Sequence, residues 1–271
     1  MTLTTRRQAR AAFTLVELLV VMAIIAILVG LLMAGVQRVR VLGPQTENAS
    51  RISQISDAIG RCKNDLKLAY IPSNGGFNLK ASYTGTEPEL DVLTRAFPNM
   101  NRTATGLPNV TLDGNQTLCF FLTGGAVTNF TGFSNNPTAP FTPGGGNQTR
   151  KGPWLEPNPK LFLSAPPNPA GSPPQAWLVD VYGVPYAYFA SVEGKQNNYN
   201  AFGAQTFSPG GSAGTASPYT NAGKVMNEGG FQIISAGRDK AFGAGGALPA
   251  VGAGDDNQAN FSQYQLGGRL D

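Results

Sequence analysis

Hydrophobic residues dominate the N-terminal part of the chain and recur in shorter patterns after it. The nineteen residues from Leu18 to Val36 carry no charge, and the apolar run counted from Phe13 is 24 residues long, with Glu17 as its one charged residue. At ~1.5 Å of rise per residue this helix would be roughly 36 Å long, which exceeds the ~30 Å of a hydrocarbon core. The pattern predicts a transmembrane helix over residues 13–40.

The residues before this run predict its orientation. Arg6, Arg7 and Arg10 precede it and no acidic residue does, and basic flanks tend to stay on the cytoplasmic side of a membrane. The chain after about Arg40 is therefore expected outside the cytoplasm. An ordinary cleaved secretory signal is the alternative, but its apolar region spans ~7 to 15 residues and this run is longer.

A helical pattern returns after Gly43-Pro44, a pair expected to bend or break the first helix. Apolar residues then recur at intervals of three and four, the spacing of one helix face. These residues are Ile52, Ile55, Ile59, Cys62, Leu66 and Ala69. The stripe predicts a second helical part whose apolar face packs against a sheet.

The middle of the chain has weaker patterns. Residues 83–98 predict a short helix around Leu90 and Leu93, with acidic residues near its start. Residues 117–125, TLCFFLTGG, predict a strand or another buried segment. The rest of residues 99–176 is rich in Asn, Thr, Gly and Pro, which is typical of surface loops. This region is therefore expected to be a loop-rich insertion.

Strand patterns resume at residue 176. In AWLVDVYGVPYAYFA, residues 176–190, two β-rich runs flank Gly183-Val184-Pro185, which predicts a β-hairpin. A later run through Phe231 and Ile233 predicts another strand, and a glycine-rich loop follows it.

Charge and composition exclude some classes of function for this chain. The chain has 20 basic and 16 acidic residues. Residues 1–12 contain three arginines and no acid, so 17 basic residues remain against 16 acidic ones. This balance provides no general basic surface for nucleic acid, and no nucleic-acid partner is expected. The chain contains no histidine, which excludes Ser-His and Cys-His nucleophiles and histidine metal sites. We expect no enzymatic activity.

The only two cysteines, Cys62 and Cys119, leave two interpretations open. Outside the cytoplasm the environment is oxidising, so a disulfide between them is possible. Each also has apolar neighbours in the sequence, and buried free thiols are common. The sequence favours neither.

A six-residue motif marks the start of the apolar helix: Ala12-Phe13-Thr14-Leu15-Val16-Glu17 follows a short basic leader and precedes the long apolar run. This arrangement resembles the class III signal of type IV pilins and pseudopilins. The resemblance implies that residues 1–12 are a leader, that a prepilin peptidase cuts between Ala12 and Phe13, and that Phe13 is then N-methylated. The family has glycine where this chain has Ala12, so slower cleavage is expected.

The same resemblance gives Glu17 a role in assembly. In the family, the corresponding glutamate pairs with the N-terminal ammonium of a neighbouring subunit as the helices bundle into a filament. Such a pair is physically reasonable, because an unpaired charge in a medium of low dielectric constant is far costlier than a paired one.

The C-terminal part contains three short motifs: an Asp-x-aromatic-Gly-x-Pro-Tyr-x-Tyr hairpin, a Ser-x-Gly-x-Asp loop and an Asp-Asp pair. Their residues are Asp180, Tyr182, Gly183, Pro185, Tyr186, Tyr188, Ser235, Gly237, Asp239, Asp255 and Asp256. The combination resembles the major (G-type) pseudopilin of type II secretion systems. The resemblance covers about half of the chain, at its two ends, and residues 99–176 have no counterpart in it.

This second resemblance implies a calcium ion, with Asp239, Asp255 and Asp256 as ligands. Calcium takes ~6 to 8 oxygens from carboxylates, carbonyls and water, which these residues and their glycine neighbours can supply. The simpler alternative is that Gly and Asp are common in turns, where Asp bonds to its own backbone. Residues 240–254 separate Asp239 from Asp255, a longer spacing than in the family.

Together these features predict an α+β, pilin-like fold. A long N-terminal α-helix, with a membrane half and an amphipathic half, is expected to pack on a small C-terminal antiparallel β-sheet with large loop insertions. Residues 45–271 are expected to form the globular domain, with the insertion at 99–176 and the hairpin and calcium loop within 177–266.

The resemblance implies a structural pseudopilin subunit of a type II secretion system, which self-assembles into a periplasmic fibre. Its implied partners are other copies of the chain, the prepilin peptidase, an inner-membrane assembly platform and minor pseudopilins. Its implied location is the inner membrane, with a cytoplasmic N-terminus, one membrane pass and a periplasmic C-terminal domain. The alternatives are a type IV pilin for adhesion, motility or DNA uptake, and a membrane-anchored periplasmic enzyme or binding protein.

Overall fold

The computed structural model describes residues 14–73, 76–124, 131–142, 149–156, 158–164, 176–192, 205–206, 215–243, 245–250, 252–262 and 265–268. The chain consists of two compact units, Met1–Thr46 and Glu47–Asp271, each with most of its residue contacts inside itself. Each unit is described by itself.

The described residues form three α-helices and a set of short strands. The helices are α1 (Leu15–Leu66), α2 (Pro88–Ala96) and α3 (Gly114–Thr123), with a 3₁₀ helix at Gly252–Gly254. The strands are β1 (Phe77–Leu79), β2 (Val110–Leu112), β3 (Phe133–Ser134), β4 (Arg150–Lys151), β5 (Phe162–Ser164), β6 (Ala176–Leu178), β7 (Ala187–Ala190), β8 (Gln205–Thr206), β9 (Thr215–Ala216), β10 (Tyr219–Asn221), β11 (Lys224–Val225), β12 (Phe231–Ser235), β13 (Gly246–Ala247) and β14 (Gln258–Ala259). The predicted α+β class with a long N-terminal helix is confirmed.

Within the first unit, α1 is apolar and exposed. Its residues Leu15–Met33 are long and apolar enough to cross a membrane, and side chains such as Leu19 and Leu31 are largely exposed. A contiguous apolar surface of this size requires lipid or other protein surfaces around it.

The helix continues through Gly43 and Pro44, so the expected break at this pair does not occur. Pro44 removes one N–H donor from the helix. In the following turn the Thr46 hydroxyl donates to the Leu42 carbonyl oxygen at 3.0 Å, which adds a side-chain hydrogen bond to the backbone.

In the second unit, the C-terminal part of α1 has the predicted amphipathic character. The stripe residues Ile55, Ile59 and Cys62 are fully buried. The helix ends at Leu66 rather than continuing to Ala69, because Lys67 adopts a left-handed φ of 55° and the Leu68 N–H donates back to the Lys63 carbonyl oxygen at 2.9 Å. This is the hydrogen bond of a Schellman helix end.

A three-stranded antiparallel sheet forms the centre of this unit, in the order β14-β12-β7. In β12, Ile233 pairs with Tyr188 of β7, and Ile234 pairs with both Ala187 and Ala259. The predicted hairpin after residue 176 is present as the bridge between Val179 and Pro185, which leads from β6 into β7.

Alternation along these strands places two cores on opposite faces of the sheet. Tyr188 and Ile233 belong to the larger core, which they share with α1, α2 and α3. Phe189 and Ile234 belong to a second core, built with residues of the C-terminal region such as Phe242. The sheet therefore separates helix α1 from the C-terminal loops.

Of residues 117–125, predicted as a strand or buried segment, the described residues 117–124 lie in the buried helix α3 and at its C-terminal end. Asp113 caps this helix by accepting from the Gln116 N–H at 2.7 Å, while the Gln116 side chain accepts from the Asp113 N–H at 3.0 Å. Gly124 ends it with a left-handed φ of 91°. This reciprocal capping box and glycine end outweigh the strand preference of the aromatic residues.

Several described residues of the region 99–176 belong to the larger core. Phe133, Phe141 and Trp154 are buried there against residues of the helices, and Phe133 lies 4.8 Å from Phe97 between ring centroids. Trp154 also donates its indole N–H to the Asp65 carboxylate of α1 at 2.6 Å. The expectation of a surface excursion is wrong for these residues.

Candidate functional site

The first candidate site is the start of α1. The Glu17 carboxylate accepts from the Thr14 backbone N–H at 2.9 Å and from the Thr14 hydroxyl at 2.7 Å, while the Glu17 N–H donates to the Thr14 hydroxyl oxygen at 3.3 Å. This reciprocal arrangement is a capping box. Glu17 therefore has hydrogen-bond donors within its own chain, near the positive end of the helix dipole. The predicted cleavage residues Ala12 and Phe13 lie outside the described residues.

The second candidate site begins at the hairpin, where Asp180 closes the turn. Its Oδ1 accepts from the N–H groups of Tyr182 and Val184, both at 2.9 Å. Its Oδ2 accepts from the Ser235 hydroxyl of β12 at 2.7 Å. Burial raises the pKa of Asp180, against the lowering effect of these hydrogen bonds and of the Arg51 charge. The motif aspartate thus joins the turn to the central strand.

Two of the three tyrosines of the hairpin, Tyr186 and Tyr188, attach it to α1 and the residues that follow that helix. Tyr186 is fully buried, and its hydroxyl donates to Asn48 Oδ1 at 2.7 Å. The Tyr188 hydroxyl donates to the Ile71 carbonyl oxygen at 3.1 Å. The hairpin motif that carries the resemblance therefore has a packing and hydrogen-bonding role in this fold.

The acid loop, which we define as residues 237–239 together with Asp255 and Asp256, follows β12. Asp256 Oδ2 accepts from the Arg238 N–H at 2.7 Å and from the Asp239 N–H at 3.1 Å. Gly237 has a φ of 72°, and a Cβ atom there would overlap the Asp256 carboxylate. A glycine is therefore required for the backbone to wrap around this carboxylate.

The structure brings the three predicted calcium ligands into one region, but their carboxylates do different things. Asp239 Oδ1 accepts from the Ala241 N–H at 2.8 Å, a local turn contact, and Asp255 is exposed. Burial raises the pKa of Asp256, and the carboxylates of Asp239 and Asp255 raise it further against two backbone hydrogen bonds. The charges of Asp239 and Asp255 thus lie close enough to disfavour the ionised form of Asp256.

The fit of this region to a cation rests on Asp256 and its neighbour. Asp256 Oδ1 and Asn257 Oδ1 are buried acceptors without a hydrogen-bond partner, and such oxygens suit a hard cation. In the described part of the chain, no group of three or more His, Cys, Asp and Glu side chains stands in a metal-binding arrangement. Asp239 and Asp255 would have to turn toward Asp256 to complete a calcium site.

The two cysteines are free thiols in the structure, and both are buried. Cys62 Sγ donates to the Phe121 carbonyl oxygen at 3.5 Å. Burial raises the pKa of both thiols, that of Cys119 to about 12. Each therefore behaves as a small apolar residue of the larger core.

Sequence reasoning missed three buried amides that hold the elements together. Asn48 donates from Nδ2 to Gln258 Oε1 at 2.9 Å, which connects α1 with β14. Asn115 of α3 donates to the carbonyl oxygens of Leu178 and Tyr186 at 2.9 and 2.7 Å. The spacing of Asn48, one turn before Ile52 on the apolar face, was a signal for its burial.

Residues 7–33 match the family model described as the prokaryotic N-terminal methylation motif. No curated protein and no solved structure matches the chain. The matched residues include the predicted junction Ala12-Phe13, the capping residue Glu17 and the apolar helix to Met33. An apolar helix of this kind behind such a motif fits a membrane-anchored, single-pass protein. The chain therefore carries a type IV pilin-like prepilin signal, the signal of pilus and secretion-system subunits that a prepilin peptidase processes and that assemble into fibres.

Proposed function

We propose that this protein is a structural subunit of a type II secretion pseudopilus. The observation that carries the proposal is the methylation motif at residues 7–33, placed at the start of a helix whose apolar side chains are exposed. In a fibre, the helices of neighbouring subunits would cover this surface. The protein would act mechanically and without enzymatic activity.

The choice of secretion rather than a surface pilus rests on the hairpin and the acid loop together. Both carry the residues by which the chain resembles the major pseudopilin. The buried tyrosine contacts and the seating of Asp256 against the 238–239 amides show that these residues are used structurally. Because the same residues carry the resemblance to the major pseudopilin, their use in closing the C-terminal region supports the pseudopilin proposal.

Assembly would follow from the chemistry at the N-terminus. The peptidase would cut before Phe13 on the cytoplasmic side, and the new ammonium of one subunit would approach Glu17 of another. Glu17 already accepts two hydrogen bonds from Thr14, which offset part of its desolvation in the membrane. The globular unit would lie in the periplasm, and an assembly platform with minor pseudopilins would start the fibre.

We propose further that calcium binds at the acid loop. Asp256 Oδ1 would be one ligand, with oxygens from Asp239 and Asp255 after rotation of their side chains. Burial and then the nearby charges of Asp239 and Asp255 raise the pKa of Asp256, and a bound cation would favour its ionised form against both effects. The ion would order the loop and supply no reaction chemistry.

Mass spectrometry of the chain purified from its native membrane tests the fibre-subunit proposal. The expected product begins with N-methylated Phe13, and an Ala12→Gly variant should raise the cleaved fraction. A chain that retains residues 1–12 in the presence of an active peptidase would refute it and favour a simple membrane anchor.

Deletion of the gene in the native organism distinguishes secretion from a pilus. The proposal expects loss of proteins from the culture medium, restored by the wild-type gene and not by Glu17→Ala. Unchanged secretion with loss of surface filaments would instead identify a type IV pilin.

A titration of the full chain with calcium chloride tests the cation separately. The midpoint of thermal unfolding should rise in the wild type and not in Asp256→Asn. The exposed helix residue Asp57 gives a matched control, since Asp57→Asn should keep the calcium response. An unchanged midpoint in the wild type would remove calcium from the proposal.

A further inference from the structure

A continuous series of hydrogen bonds connects the hairpin with the acid loop. Asp180 and Ser235 are both buried, at 2% and 0% exposure. The Ser235 hydroxyl donates to Asp180 Oδ2 at 2.7 Å and accepts from the Gly237 N–H at 3.2 Å. One hydroxyl therefore joins a buried carboxylate to the first residue of the loop.

At the loop end of this series, backbone N–H groups bind the carboxylate of Asp256. Directly after Gly237, the N–H groups of Arg238 and Asp239 both donate to Asp256 Oδ2. Three consecutive backbone N–H groups are thus divided between Ser235 and Asp256. A rotation of the Gly237 peptide would also shift the two amides that bind Asp256, because each planar peptide unit is joined to the next at a shared Cα atom.

The hairpin end of the series is rigid. Both oxygens of Asp180 are occupied, and its own N–H donates to the Val184 carbonyl oxygen at 2.8 Å. Tyr186, two residues beyond Val184, is held by Asn48. A buried carboxyl group whose two oxygens both accept hydrogen bonds fixes its partners strongly, because any departure leaves a desolvated polar group without a donor.

We propose that Asp180 and Ser235 are positioning residues for the acid loop. They hold the loop in the conformation in which its amides bind Asp256, and they do so before any cation is present. This inference rests on the proposed function in one respect: the loop they hold is the one assigned to calcium. Preorganisation of this kind lowers the cost of arranging ligands when the ion binds.

Hydrogen–deuterium exchange of the full-length chain in detergent micelles tests the proposal. In the presence of a calcium chelator, Ser235→Ala should raise the exchange rate in peptides covering residues 236–243 several-fold. Peptides from residues 53–66 of α1 should exchange as in the wild type. Ser73→Ala is the matched control, because Ser73 is equally buried and its hydroxyl oxygen accepts from the Ala190 N–H at 2.8 Å, away from the loop sequence.

A double-mutant cycle checks that the two residues act together. Combining Ser235→Ala with Asp180→Asn should raise the loop exchange by less than the product of the two single effects, since both remove the same hydrogen bond. Independent effects that multiply, or wild-type exchange in Ser235→Ala at residues 236–243, would overturn the proposal.

Calcium chloride added to the same samples separates this inference from the calcium assignment. If calcium slows loop exchange in the wild type, Ser235→Ala should weaken the apparent affinity by about tenfold, the usual size of such supporting effects. If calcium protects neither protein, the calcium assignment fails, while increased exchange in chelator still supports the positioning role. An equal calcium affinity in the wild type and Ser235→Ala would refute preorganisation of the cation site.

Discussion

Removal of one buried hydroxyl, in Tyr186→Phe, probes the attachment of the hairpin to α1. Tyr186 and Asn48 are both fully buried, and the phenol donates to Asn48 Oδ1 at 2.7 Å. In the variant this oxygen remains in a site without water and loses its donor. An unsatisfied buried acceptor costs ~1–3 kcal/mol. The free energy of unfolding should fall by that amount.

The corresponding change in the thermal midpoint follows from the size of the unit. The unit spans Glu47–Asp271, and 1 kcal/mol shifts the midpoint of a domain of this size by roughly 2–4 °C. Tyr186→Phe should therefore lower it by about 2–12 °C, measured by tryptophan fluorescence of the full chain in detergent micelles. Tyr182→Phe is the control, because Tyr182 lies in the same hairpin and is only partly buried.

The control variant should unfold within about 1 °C of the wild type, since water can replace a partly exposed partner. A second variant, Asn48→Leu, completes a double-mutant cycle with Tyr186→Phe, and the two changes should couple by ~0.5–3 kcal/mol. Equal midpoints for Tyr186→Phe and the wild type would show that the hydrogen bond does not hold the hairpin, and would refute this reasoning.

Three further predictions concern a turn, the thiols and pH. Ala222 lies in the β10–β11 hairpin with a φ of 47° before Gly223, so Ala222→Asn should raise the thermal midpoint by about 1–4 °C while Ala222→Val lowers it. Maleimide should label neither Cys62 nor Cys119 in the folded chain and both in denaturant without reductant; labelling only after reduction would show a disulfide. Burial raises the pKa of Asp180 above its unfolded value of ~3.9. The stabilisation from the protonated carboxyl group is therefore complete below that pH and is lost as the pH rises through the folded pKa. Denaturant titrations should show a smaller decline in the free energy of unfolding with rising pH for Asp180→Asn than for the wild type.

The parts of the fold that the sequence predicts are those governed by a local period. The apolar stripe from Ile52 to Leu66 has one helical spacing and one buried face, and the structure confirms it. The hairpin was equally predictable from the sequence, because the alternation of its β-rich residues and the turn at Gly183 both lie within fifteen residues. The exact end of α1 depended on the φ of Lys67, which no periodic pattern encodes.

The missed features depend on contacts between distant parts of the chain or on competing local signals. Trp154 is buried because it reaches Asp65, 89 positions earlier, so the Gly and Pro content around it gave the wrong impression of a surface loop. Helix α3 was missed as a helix because aromatic residues favour strands, although Asp113 and Gln116 form a recognisable capping box. Local composition was a poor guide where tertiary contacts set the structure.

In the acid loop too, the sequence predicts which residues come together but not the contacts that each of them makes. Its sequence predicts three equivalent carboxylates, whereas the fold uses them differently: Asp256 is seated on backbone amides, Asp239 caps a turn and Asp255 is exposed. Equivalent ligands would require all three to converge. The unequal burial instead makes Asp256 the residue on which the proposed cation site and the seating of the 238–239 amides would both depend.

The hairpin motif and the acid loop therefore differ in whether hydrogen bonds within the unit satisfy their buried polar groups. Asp180, Tyr186 and Tyr188 are satisfied by hydrogen bonds within the unit, so their contacts do not by themselves indicate a ligand. The loop instead leaves Asp256 Oδ1 without a donor, a cost that folding alone does not explain. A ligand that supplies positive charge there would remove that cost and the repulsion from Asp239 and Asp255. A titration of the loop with calcium is for this reason a sharper test of the proposed pseudopilin role than substitution of the hairpin residues.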